Sequence, residues 1–256
     1  MVCAAKIVEV VPDLDAKFYA ATQTMDEARH VEAFSRFLQE KIGLVYPINS
    51  NLSALLADTL SDSRWDMPYL GMQVLIEGLA LAAFGGVQRD LAPEGSLAKQ
   101  LLAYVMQDEA RHVAFGRISL KDYYSELTTA ERDDREEFVV DACYLMRDRF
   151  RGEEVMETLG LNVKECAEWV DHSPLMIQFR SHLFSRIVPI VKDIGLWGDR
   201  VQKKAFRDMG VHDMADLNIE ALMKADEDQA ESLDKAHAEM AARATEVDEV
   251  IAAGMS

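Results

Sequence analysis

"DEARHV" occupies residues 26–31, and the same six residues return at 108–113, 82 positions later. Within each copy a glutamate and a histidine stand three apart, Glu27 with His30 and Glu109 with His112. On a helix that spacing makes them neighbours on one face. Two such faces turned toward each other bring together two carboxylates and two imidazoles, and the repeat points to two related helical hairpins of one bundle. A single Glu-x-x-His is common by chance, and Asp26–Arg29 and Asp108–Arg111 read equally as i,i+3 ion pairs on a surface. The duplication with identical neighbours favours a site over coincidence.

Outward from the repeat, the pattern is helical and strand alternation is nowhere sustained. Leu14, Phe18, Met25, Val31, Phe34 and Leu38 recur at short intervals and predict a long helix from near Asp13 to the stop at Gly43. Pro12 separates it from an apolar run, residues 2–11, that reads as the tail of a preceding helix. A short helix over Leu52 to Leu60, a long one from Pro68 to Leu91, and another from the cap Ser96 to Leu127 follow. Thr128 with Glu131 forms a capping box that opens a helix expected to reach Gly160. Asn162 and Ser173–Pro174 open two more, the second expected to bend at Pro189. Residues 1–195 read as one helical domain, and 196–256 as a C-terminal helical extension or acidic tail.

Composition narrows the function classes. A 49% hydrophobic content over 256 residues suffices for a sizeable core, and 45 acidic against 27 basic residues give a formal charge of -18. That field repels phosphate backbones and anionic lipid surfaces, so neither nucleic acid nor membrane is an expected partner. Three dispersed cysteines without CxxC spacing suggest neither disulfides nor a thiolate metal site, and a reducing cytoplasm is expected. No signal peptide is read at the N-terminus. The most apolar window, residues 69–87, carries Gln73 and Glu77 in its middle, so a buried helix fits better than a membrane span.

Glu77 is the only acidic or basic residue between Met67 and Val87. A carboxylate in such surroundings is costly unless it is neutralised, paired or bound to a metal, and Gln73, one turn earlier, is placed to orient it or touch a ligand. Glutamates from separate helices together with two Glu-x-x-His pairs form the ligand set of a di-iron or di-manganese carboxylate site. Over residues 13–120 the sequence resembles the ferritin-like di-iron carboxylate superfamily, on the side of the ribonucleotide reductase small subunit, p-aminobenzoate N-oxygenase and bacterial di-iron monooxygenases.

The resemblance implies an all-α, ferritin-like four-helix bundle with additional C-terminal helices. It makes Glu27, His30, Glu77, Glu109 and His112 metal ligands, with two iron ions, or manganese and iron, as cofactor. Asp26 and Asp108 match the aspartates that hold ligating histidines, expected crosswise, Asp108 to His30 and Asp26 to His112. The implied activity is O2-dependent oxidation of a small organic substrate, with electrons from a ferredoxin or reductase. Ferroxidase or iron-handling activity and a non-catalytic truncated bundle are the alternatives.

This chain departs from the family pattern in four places. The fourth carboxylate belongs to the helix preceding residue 13, and Glu9, only three residues before Pro12, would be misplaced by roughly 18 Å along the bundle. Glu9 is therefore expected not to be a ligand, and the chain reads as truncated in its first bundle helix, with a groove that a second copy, as a homodimer, would fill. Phe34, Leu81 and Val105 stand where family members carry a tyrosine, a threonine and a third histidine respectively. They are expected to be core or pocket-lining residues that leave an apolar cavity beside the metals. His172, His182, His212 and His237 share no ligand spacing.

Overall fold

The computed structural model describes the backbone of residues 1–254 and the side chains of residues 1–245. Among these the chain is helical throughout, without strands. The first helices are α1 (Val2–Val10), α2 (Leu14–Arg36), α3 (Ser50–Ser61), α4 (Asp66–Asp90), α5 (Leu97–Glu126) and α6 (Thr129–Asp148). Shorter ones follow: α7 (Glu153–Thr158), α8 (Val163–His172), α9 (Pro174–Phe184), α10 (Ile187–Asp193) and α11 (Arg200–Arg207). A 3-10 turn at His212–Asp216 leads to α12 (Ile219–Gly254).

Local chemistry sets the ends. The side chains of Asp13, Asn49, Ser96, Asn162 and Ser173 each accept a backbone N–H of the first turn that follows them. Thr128 and Glu131 form the expected capping box. Two expected helices are shorter than their periodicity suggests. The one opened by Thr128 ends at Asp148, because Gly152 takes a left-handed φ of 73° and restarts the chain as α7. The one opened by Ser173 ends at Phe184, and Pro189 sits within the separate α10 instead of bending a continuous helix.

Side-chain contacts give the helix directions. Asp26 meets His112, His30 meets Asp108 and Tyr19 stacks on Phe115, so α2 and α5 run antiparallel. Gln23 meets Gln73 and Phe34 meets Phe84 at a constant offset, so α2 and α4 run parallel. Gln73 beside Gly116 and Gly85 beside Met106 make α4 and α5 an antiparallel hairpin, and Lys17 bonded to the Val8 carbonyl does the same for α1 and α2. The result is a helical bundle. α4 lies at its centre, with a wide π-type stretch at Tyr69–Ile76 whose side chains from Tyr69 to Leu75 are all buried.

α4 is also the one helix among the described residues long and apolar enough to cross a membrane, and most of that window is buried by this chain's own helices. Residues beyond 195 join the same core, since Val201, Ala205, Phe206 and Val211 belong to the buried cluster that holds Val139 and Val188.

α2 is helical, as its periodicity suggests, but the face it buries is not the apolar one. Its stripe Leu14, Phe18 and Met25 is exposed, and the face turned inward carries Ala20, Gln23 and His30. The inner face is the polar one because its groups have polar partners on α4 and α5.

Asp66 and Arg135 tie α4 to α6 through a buried two-pronged ion pair, at 2.9 and 3.1 Å. Asp66→Ala would leave the buried guanidinium with only the exposed Asp134, 3.5 Å away, as counter-charge and is expected to cost about 3–5 kcal/mol in urea unfolding. Arg36→Ala, which opens only the exposed pair with Glu40, is expected to leave the unfolding midpoint in place.

Candidate metal centre

Glu27 and His30 come from α2, Glu77 from α4, and Glu109 and His112 from α5. The register of the two antiparallel helices places the copies of the repeat opposite each other. Ligand atoms of Glu27, Glu77, Glu109 and His112 lie within 4.8 Å of one another, a group that can hold a metal ion. His30 stands outside this tight group, on the far side of Glu109. Glu109 faces both imidazoles, with Oε1 3.4 Å from His30 Nδ1 and Oε2 3.5 Å from His112 Nδ1. Glu27 Oε1 and Glu77 Oε1 approach His112 Nδ1 at 3.6 and 4.0 Å. The amino nitrogen of Met1 lies 3.3 Å from Glu27 Oε2.

The aspartates connect crosswise, as the resemblance implies. Asp108 Oδ2 is 3.0 Å from His30 Nε2, and Asp26 Oδ2 is 3.4 Å from His112 Nε2. Each also takes the arginine of its own copy, Arg29 on Asp26 and Arg111 on Asp108, so the ion-pair reading and the histidine-holding reading are both true. A carboxylate at Nε2 holds a ring proton there, so that Nδ1, once deprotonated, turns its lone pair inward.

Five buried polar atoms without a hydrogen bond converge on this spot, Glu27 Oε1, His30 Nδ1, Glu77 Oε2, Glu109 Oε2 and His112 Nδ1, and Gln73 Oε1 is a sixth, set behind Gln23. Orphaned buried acceptors are costly, and five of these six belong to carboxylates or imidazoles, the donor set of a hard or borderline cation. The residues fit a metal.

Electrostatics follow from the crowding. Burial first, then the charges of Glu109 and Glu27, push the Glu77 carboxyl well above the usual range. Burial also acts to raise Glu109, but the imidazoles of His112 and His30 outweigh it and hold that carboxyl below its ordinary value. At His30 burial opposes the charge, yet Asp108, Glu109 and Glu27 prevail and hold its pKa up at about 9.

An apolar cavity of about 580 Å3 opens beside the cluster, walled by Val31, Phe34, Leu56, Met72, Ile76 and Phe84, with Glu27, His30, Glu77 and Glu109 on its polar side. Phe34 is thus pocket lining. Leu81 is not: at i+4 from Glu77 it turns to the other flank of α4, toward a cavity beneath α12, whereas Ala80 and Phe84 share the lining with Glu77. Val105 is buried and forms no part of that lining. Glu9 is exposed and pairs with Lys6. His172 and His182 bond backbone carbonyls.

Sequence reasoning passed over Gln23. It is fully buried, donates from Nε2 to Glu77 Oε1 at 3.0 Å, and accepts from Gln73 Nε2 at 2.6 Å. Gln73 therefore touches Glu77 only through Gln23. The one available signal was its place a helical turn before Glu27. Comparison with known families, with curated proteins and with solved structures found no match.

The chelated, metal-free chain is expected to lose stability as pH rises. The His30 contribution is fully present below its ordinary value near 6.5 and is lost as pH climbs through about 9. Urea unfolding at pH 6, 7.5 and 9 measures this, and His30→Gln should flatten that interval. Glu77, raised in the same direction, favours folding least once its unfolded form is ionised. Glu77→Gln should therefore stabilise the metal-free chain at pH 7, with the gain shrinking toward pH 4.

Proposed function

We propose that this protein is a ferritin-like di-iron carboxylate oxidoreductase that activates O2 to oxidise or oxygenate a small organic substrate. The observation that carries this reading is the convergence of buried, unpartnered Nδ1 and carboxylate oxygens from two opposed Glu-x-x-His helices. Glu27, His30, Glu77, Glu109 and His112 would hold two iron ions, with a manganese–iron pair as a variant of the same donor set. Glu109, facing both imidazoles, is the residue best placed to be shared between the ions.

Bound iron would supply the one-electron chemistry that O2 requires. The protein's own groups do the rest. Asp26 and Asp108 fix the imidazole tautomers and ring planes, with Arg29 and Arg111 anchoring the aspartates in turn. The hydrocarbon walls around Phe34 and Phe84 exclude water and accept the apolar body of a substrate, presenting it to the carboxylate side of the cavity. Turnover would draw electrons from an external ferredoxin or reductase. The exposed stripe Leu14, Phe18 and Met25 supports a homodimer as the working assembly.

Anaerobic titration of the chain with ferrous iron is expected to end at about two ions per chain, and Glu77→Ala should lower that number. A stoichiometry well below two removes the di-iron assignment. Product analysis under O2 then separates substrate oxidation from a ferroxidase, which would consume iron and O2 alone.

A further inference from the structure

We propose that Gln23 and Gln73 are positioning residues that hold Glu77 with one oxygen engaged and the other presented to a cation, an inference that rests on the metal-binding reading above. Gln23 donates to Glu77 Oε1, Gln73 donates to Gln23 Oε1, and Glu77 Oε2 is left buried without a hydrogen bond among the other ligand atoms. The order of donors is set by the acid at its end. A carboxylate oxygen only accepts, so Gln23 turns its Nε2 toward Glu77, and its own Oε1 remains for the Nε2 of Gln73. Held ionised by a bound cation, that one group would order two amides in sequence.

Packing alone does not account for this pair. Both glutamines are fully buried, and Gln73 Oε1 has no partner, a cost that a leucine or methionine of similar size would avoid. The fold also makes room for the second amide. A Cβ at Gly116 would lie 2.7 Å from Gln73 Cβ and 2.8 Å from its Oε1, so α5 carries no side chain where Gln73 crosses it. The wide turn Tyr69–Ile76 contains Gln73 and ends just before Glu77.

The arrangement is one-sided. In the register of the repeat, position 23 corresponds to 105, which is valine. Among the described residues only the Glu77 flank of the centre has an amide relay, so the two cation positions are unequal, and the one that uses Glu77 depends on Gln23.

Titration of the full chain with Co2+, followed by its visible ligand-field absorption and circular dichroism, tests this. Gln23→Leu is expected to weaken one of two bound ions by about 10- to 100-fold, shift that ion's spectrum, and leave the other within about twofold. Gln73→Leu should act in the same direction but less, and the double variant should bind as Gln23→Leu alone, because Gln73 works through Gln23. Gly116→Ala, which crowds Gln73, should resemble Gln73→Leu and serves where a leucine variant fails to fold, as read from its melting curve. Unaltered affinity and spectrum in folded Gln23→Leu overturn the proposal, and so do losses from Gln23 and Gln73 that simply add. If the unsubstituted chain takes up no Co2+, the metal reading falls together with it, which distinguishes the two failures.

Discussion

Glu27, Glu77 and Glu109 are packed against one another inside a helical bundle, with two imidazoles to answer three carboxylates. Each of these groups would be better solvated outside, and each has at least one buried atom with no hydrogen bond. The surrounding structure is arranged to make that tolerable. Asp26 and Asp108 take the outer nitrogens of the histidines, Arg29 and Arg111 take the aspartates, and Gln23 takes one oxygen of Glu77. What remains unpaired points inward, where a cation would offset the mutual repulsion of the acids.

The same constraint accounts for the unusual face of α2. An amphipathic helix ordinarily buries its apolar stripe, yet here Leu14, Phe18 and Met25 face outward while Gln23, Glu27 and His30 face in. A polar face can be buried only if partners wait for it. α4 and α5 supply them, and α4 does so from a segment otherwise apolar on every side.

Much of the architecture could be read from residue order. The capping residues marked most helix starts, the two Glu-x-x-His pairs marked two of the helices that carry the Glu/His cluster, and the isolated Glu77 marked the third. Other features resisted that reading. Gly152 broke a helix whose periodicity ran on past it. Gln23 resembled any polar residue on a helix surface, since nothing local distinguishes a solvated amide from one buried against a distant carboxylate. Leu81 and Ala80 differ by one residue but lie on opposite flanks of α4, and only the neighbours of each flank reveal which borders the carboxylates.

Residue order by itself determined the helical class, the i,i+3 pairing of Glu with His, and the strong acidity of the chain, because helix periodicity, one-turn spacing and formal charge are local or additive properties. Tertiary structure alone decided that both Nδ1 atoms would face inward and that Gln73 would reach Glu77 only through Gln23. Those outcomes depend on the antiparallel register of α2 and α5 and the parallel register of α2 and α4. Register arises from the packing of whole helix faces, and no single stretch of sequence contains it.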